Sequence, residues 1–159
     1  MEQRMQEGRM SREEINALLD RAPVGRVTTL GADGWPYTVA VHFVRLGERV
    51  CFHGLPRGEK LSNLARDDRV CFEADELTAI LTENLESPCS ADAAYESVVL
   101  RGRARLVTGA EEKREILTAI IRKYVPAAEA LPMGEGAVAG TAVVEIAPVS
   151  VTGKRHRGN

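Results

Sequence analysis

The stretch Phe52-His53-Gly54-Leu55-Pro56-Arg57-Gly58-Glu59-Lys60-Leu61 is the strongest chemical unit of the sequence. An apolar, β-prone run ends there. Two glycines and Pro56 break it, and a helical pattern begins, with Leu61 and Leu64 one turn apart. Amide N–H groups at a helix start are unpaired and carry partial positive charge. Arg57 and Lys60 add two cationic side chains, so the unit suits an anion such as a phosphate. The alternative is a basic loop that water alone solvates. The unit is not a P-loop, because GxxxxGK[ST] is absent, and no GxGxxG offers a dinucleotide cradle. His53, at the strand end, can hydrogen-bond a ligand or move a proton near neutral pH, or it is a satisfied structural histidine. His42 reads as structural, and His156 carries no assignment.

Other residues point to chemistry less sharply. Arg26 and Thr28 share one face of a β-prone run, and Thr29 points the other way. A guanidinium and hydroxyls on a strand can bind polar ring edges and phosphate; an ordinary Thr-rich strand looks the same. Arg101, Arg103 and Arg105 alternate, so all three face one side. Such a ladder can meet nucleic-acid phosphates, but aromatic content is only 4%, too little to stack bases. A solvated or partner-facing edge is the simpler reading. Cys51, Cys71, Cys89 and the histidines show no metal-ligand spacing. No GxSxG occurs.

These residues need elements to hold them. Ser11 and Glu14 form a capping box ahead of the Ile15, Leu18, Leu19 stripe, predicting a helix over 11–20. Residues 24–30 are β-branched. The Asp33-Gly34 turn then leads into one strand over 35–44, where Trp35, Tyr37, Val39, Val41 and Phe43 alternate. Further strands fall at 50–53, 69–74 and 95–107, with Gly102 as a bend or bulge. Thr108 and Glu111 suggest a second capping box for a helix over 109–124. Residues 127–140 read as a mobile loop, and 141–152 as the last strand. The pattern predicts a mainly β, α+β fold: a six-stranded antiparallel barrel with two to three flanking helices. Closure removes exposed edges.

Composition sets the outer limits. A chain of 159 residues suits one domain spanning 1–159. Lys plus Arg is 21 against 23 Asp plus Glu, so net charge is −2 and nothing pulls the chain globally toward nucleic acid or an acidic membrane. No apolar run reaches the roughly 20 residues of a spanning helix. Three cysteines without CxxC argue for a reducing, cytoplasmic setting.

Four segments taken together carry a resemblance: VGRVTTLGADGWPYTVAVHF, VCFHGLPRGEKLSNLARDDRVCFEAD, YESVVLRGRARLVTGAEEK and VVEIAPVSVTGK. Their order resembles the pyridoxamine 5′-phosphate oxidase-like superfamily, and within it the nitroimidazole-reductase-like branch. The resemblance runs from about Ser11 to Lys154. It implies a six-stranded split β-barrel and a homodimer with FMN, or FAD, in clefts at the subunit interface. It places first-strand flavin contacts on Arg26, Val27, Thr28 and Thr29. Further contacts fall on Phe52 and His53, phosphate contacts on Arg57, Lys60 and Leu61, and a long-strand contact on Ser97 and Val98.

The sequence also departs from that pattern. Ser90-Ala91 stand where many relatives carry an aromatic residue, and Ala40 replaces a common proline. The tryptophan-containing C-terminal segment of true pyridoxamine phosphate oxidases is absent. The resemblance therefore implies an FMN-dependent oxidoreductase acting on a small oxidised organic molecule such as a nitro compound, with His53 as its catalytic residue. The alternative is a flavin or heme carrier without turnover. No nucleic-acid or membrane partner is expected.

Overall fold

The computed structural model describes residues 8–83 and 85–158. Ser11 starts the first helix, α1 (Arg12–Arg21). Its hydroxyl accepts from Glu14 N–H at 3.2 Å, and the Glu14 carboxylate accepts from Ser11 N–H at 2.8 Å. Ile15, Leu18 and Leu19 are buried on one side of α1. The strands are β1 (Gly25–Leu30), β2 (Pro36–Val41), β3 (Phe43–Leu46), β4 (Arg49–Gly54), β5 (Arg69–Leu81), β6 (Asp92–Leu106) and β7 (Ala142–His156). Helices α2 (Glu59–Arg66), α3 (Ala110–Tyr124) and α4 (Glu135–Gly140) complete the framework.

The strands pair antiparallel in the order β2-β1-β5-β6-β7-β4-β3. A single residue, His42, separates β2 from β3. One continuous segment therefore holds both edges: β2 pairs with β1, and β3 with β4. The sheet thus begins and ends on the same segment, which bends at His42 to bring the two ends together, while β2 and β3 each pair on one side only.

The expected six strands are seven because the run over 35–44 breaks at His42. The break leaves no orphaned backbone at Phe43. The Tyr124 hydroxyl accepts from Phe43 N–H at 3.0 Å and donates to Phe43 C=O at 2.9 Å. The expected bulge is present, with the β6–β7 register shifting between Arg101 and Gly102. A Cβ on Gly102 would lie 2.5 Å from the Ala147 carbonyl oxygen, so only glycine fits.

Several boundaries differ from the sequence reading: β5 runs on to Leu81 and β6 starts at Asp92, because the two pair along the whole of β5. Thr108 does not cap α3; the cap is Gly109, without a side-chain hydrogen bond. The stretch read as a loop over 127–140 carries a 3₁₀ turn (Pro126–Ala128) and α4, whose Val138 is buried. The last strand runs on to His156, because β6 is long enough to pair with it from Tyr95 onward.

Alternation along β4 explains the two-layered core. Val50 and Phe52 face the barrel interior with Val27, Phe43, Phe72, Val98 and Leu100, where α1 closes one end. The Phe43 and Phe72 rings meet edge-on at 4.8 Å, a contact contributing about 0.5–1.5 kcal/mol beyond burial. Cys51 faces the other way, into a second cluster with Val44, Val143, Ile116, Leu117, Ile120 and Val138. Period two places His53 on the Cys51 side, toward α3.

Candidate functional site

The end of β4 carries the unit that the sequence singles out. Gly58 has φ +128°, a conformation that favours glycine, and it caps α2 without a side-chain hydrogen bond. The first-turn amides of α2 thus lack a side-chain acceptor at the cap. Lys60, in that turn, folds its ammonium back over the Phe52 ring at 4.7 Å from the centroid. Among the described residues, no carboxylate lies within ion-pair distance of Lys60, and burial pulls its pKa below the ordinary lysine value. By contrast Arg21, Arg26, Arg45, Arg49, Arg69, Arg103, Arg105 and Arg122 all have carboxylate partners. Lys123 is also half-buried without an ion pair, but it donates to the Leu19 carbonyl at 3.0 Å; among the described residues Lys60 has neither an ion pair nor a hydrogen bond, so it is the cation free to meet an anion.

Two further contacts hold α2 against the barrel. Asn63, fully buried, donates to the Thr29 hydroxyl at 3.1 Å, and Arg66 donates to the Leu30 carbonyl at 2.6 Å. Thr29 is therefore spent on joining β1 to α2. Asn63 was not foreseen, since its partner stands 34 residues away in sequence. Leu61 packs against the main core. Arg57 is exposed in the loop ahead of α2.

His53 lies half-buried, and its Nδ1 is closed off from solvent with no hydrogen-bond partner in the protein. Burial, then the neighbouring His42 and Lys60, hold its pKa below the ordinary imidazole value. The ring is neutral at pH 7 and has unused hydrogen-bonding capacity. It lines a cavity of about 550 Å³ between β4, α3 and α4. Leu117, Ile120, Ile121 and Met133 form its apolar wall, and His42 stacks on Tyr124 at 4.6 Å beside it. Spacing alone gave His42 no part here; the strand break turns it toward α3.

The remaining candidates gather elsewhere. Val27, Phe52 and Val98 are 0% exposed, backbone included, and belong to the core. Thr28 pairs with Thr38 across the strands at 2.9 Å. Arg26 donates to Asp75 at 2.5 Å and to Glu73 at 2.9 Å through the same Nη1, which leaves its other nitrogens uncommitted. Burial outweighs Arg26 and keeps Glu73 above the usual carboxylate range. Ser97 sits opposite Asp75 on β5 and Lys154 on β7, donating to the Lys154 carbonyl at 3.4 Å. Arg26, Asp75, Ser97 and Lys154 form one outer row. Among the described residues, no hydrogen bond or ion pair joins that row to His53 or Lys60.

The family model for pyridoxamine 5′-phosphate oxidase matches residues 11–155. The chain belongs to the pyridoxamine 5′-phosphate oxidase family. Within this family it is similar to the 5a,11a-dehydrotetracycline/5a,11a-dehydrooxytetracycline reductase of Streptomyces rimosus subsp. rimosus, at 34% identity over 95 residues. That match covers 57% of this chain and 60% of the reductase. Among solved structures it resembles the flavocytochrome Anf3 of Azotobacter vinelandii, with TM-score 0.81 and 25% identity over 93% of this chain and 68% of that one. The FAD and heme binding protein of Mycobacterium smegmatis shares the fold, with TM-score 0.82 and 24% identity over 93% of this chain and 72% of that one. The family's antiparallel barrel accounts for the way the two ends of the sheet meet. No helix among the described residues is long and apolar enough to cross a membrane.

Proposed function

We propose that this family member binds FMN and reduces a small oxidised organic molecule, such as a nitro compound. The observation that carries the reading is Lys60: a half-buried ammonium at a helix start, over an aromatic ring, with no carboxylate to neutralise it. A terminal phosphoryl group supplies the missing charge, with the α2 amides and exposed Arg57 as further donors. The likeness to a flavocytochrome and to a reductase supports a flavin over other phosphorylated ligands. FAD presents a pyrophosphate bridge in place of that terminal group, and the M. smegmatis likeness makes it the alternative flavin.

A bound flavin supplies the hydride and electron chemistry. The chain's own residues bind and orient. Lys60 holds the anionic end. Neutral His53 gives or takes a hydrogen bond at the reacting molecule. The uncommitted nitrogens of Arg26 offer donors to a polar ring edge, with the Thr28 and Ser97 hydroxyl oxygens beside them as acceptors. The family resemblance implies a flavin cleft at the interface of a homodimer, and on that reading the Arg26–Ser97 row of one copy and the His53 and Lys60 side chains of its partner complete each cleft.

The absorbance spectrum of the freshly purified protein is the first test. A flavin signature, or tight FMN binding on reconstitution, supports the reading; neither being seen removes it. Stopped-flow mixing with a reduced nicotinamide then separates an enzyme from a carrier. A bound flavin that no nicotinamide or oxidised substrate can reduce or reoxidise assigns the chain to the carrier class.

A further inference from the structure

We infer that the cavity beside His53 takes a neutral, largely apolar molecule of several rings, and that this is the class of oxidised substrate reduced here. Volume comes first. An apolar cavity of about 150 Å³ holds a benzene. The hollow between β4, α3 and α4 has about 550 Å³, within the roughly 300–1,000 Å³ of sites for drug-sized ligands. A single nitro-substituted ring leaves most of it empty.

Charge comes second. Among the described residues, no Lys, Arg, Asp or Glu lines this cavity. Its hydroxyls are already spent: Tyr124 on both backbone groups of Phe43, and Thr141 on the Ala137 carbonyl at 2.7 Å. A carboxylate or ammonium set against the apolar inner wall would lose part of its water and find no counter-charge there, although the cavity mouth at Val125 and His42 is open to solvent. The polar side chains left on the cavity wall are the imidazoles of His42 and His53, which can meet one polar atom of a neutral guest, while the His53 Nδ1 itself is shut off from the opening. With His42 stacked on Tyr124 as a flat aromatic wall, the hollow suits fused rings bearing a single carbonyl or hydroxyl near His53. The substrate role rests on the flavin reading, whereas the ligand class rests on the cavity alone.

The test is a fluorescence titration with a matched pair of probes, 1-pyrenemethanol and 1-pyrenecarboxylate, on FMN-saturated protein. FMN occupies Lys60 there, so the carboxylate cannot borrow it. The alcohol is expected to bind and the carboxylate to bind about tenfold more weakly or worse. Ala137→Trp, which fills the cavity from α4, should weaken the alcohol by about tenfold or more; the wild-type comparison stands if that variant does not fold. Equal binding of the two probes overturns the inference. So does competitive displacement of the alcohol by FMN, which assigns the cavity to the cofactor, or loss of the alcohol site on self-association, which assigns it to a second copy. If the chain shows no FMN affinity, the flavin reading fails by that result. The two probes are then compared on the Lys60→Ala variant, where the carboxylate has no lysine to borrow, and that titration decides the ligand class.

Discussion

Tyr124, the last residue of α3, holds Phe43 by both of its backbone groups, at 3.0 and 2.9 Å. Phe43 opens β3, immediately after the break at His42. This one hydroxyl lets a single chain segment leave β1 and join β4, and it ties the wall of the His53 cavity to the bend that brings the sheet ends together.

Tyr124→Phe keeps the ring and its stack on His42 but removes the hydroxyl, leaving an N–H and a C=O in a half-buried place. The expected loss is about 1–3 kcal/mol of stability, read as a lower urea midpoint with an unchanged slope. An unchanged midpoint means that water or the strand ladder takes over both groups.

Lys60→Ala removes the uncompensated ammonium and should weaken FMN binding by about 1.5–3 kcal/mol, the range for a charge-assisted hydrogen bond. Arg57 is solvent-exposed, and Arg57→Ala should cost about 1 kcal/mol or less. Isothermal titration of both variants checks the order. Equal losses, or none at Lys60, move the phosphate site elsewhere.

Lys123 gives a pH signature. Its ammonium lies 4.0 Å over the Phe43 ring and donates to the Leu19 carbonyl at 3.0 Å, yet burial pulls its pKa from 10.5 down to about 8. Between about 8 and 10.5 the unfolded chain binds more protons at this lysine than the folded one does. Stability contributed by this group therefore rises with pH across that window. Denaturation of Lys123→Met against the wild type isolates the slope from the tyrosines, and identical pH profiles refute the shift.

Glu145 is 6% exposed and is held by Arg49 at 2.5 Å and Arg105 at 3.1 Å, two arginines that stay largely in solvent. The damage should be asymmetric. Removing the carboxylate releases exposed cations to water; removing both cations strands a buried anion. Glu145→Gln is expected to cost about 1–2 kcal/mol, and the Arg49→Ala/Arg105→Ala double variant about 3 kcal/mol or more. Thermal unfolding of the two variants compares them directly.

Cysteine reactivity should split by environment. Burial, with Glu145 nearby, pushes the Cys51 thiol up to about 12, while Cys89 is exposed in the turn before β6. Native protein treated with iodoacetamide at pH 8 should carry the label on Cys89 and none on Cys51. Labelling of Cys51 at a comparable rate shows that the second core cluster opens readily.

Local chemistry made much of this protein legible from its residues. The Ser11–Glu14 box, the buried stripe of α1, the Gly102 bulge and the abrupt stop after His53 each depend on neighbours within a few positions, where capping, periodicity and glycine geometry act. The order of those signals was enough to indicate the family. Tertiary structure decided the rest. The seventh strand exists because Tyr124 reaches Phe43, 81 residues earlier; Asn63 is spent on Thr29; Lys60 is left without a counter-ion. The His53 cavity joins residues of β4, α3 and α4 that share no motif. Each of these depends on burial and on partners distant in sequence, and no local pattern encodes which side chain is shielded from water or left without a partner.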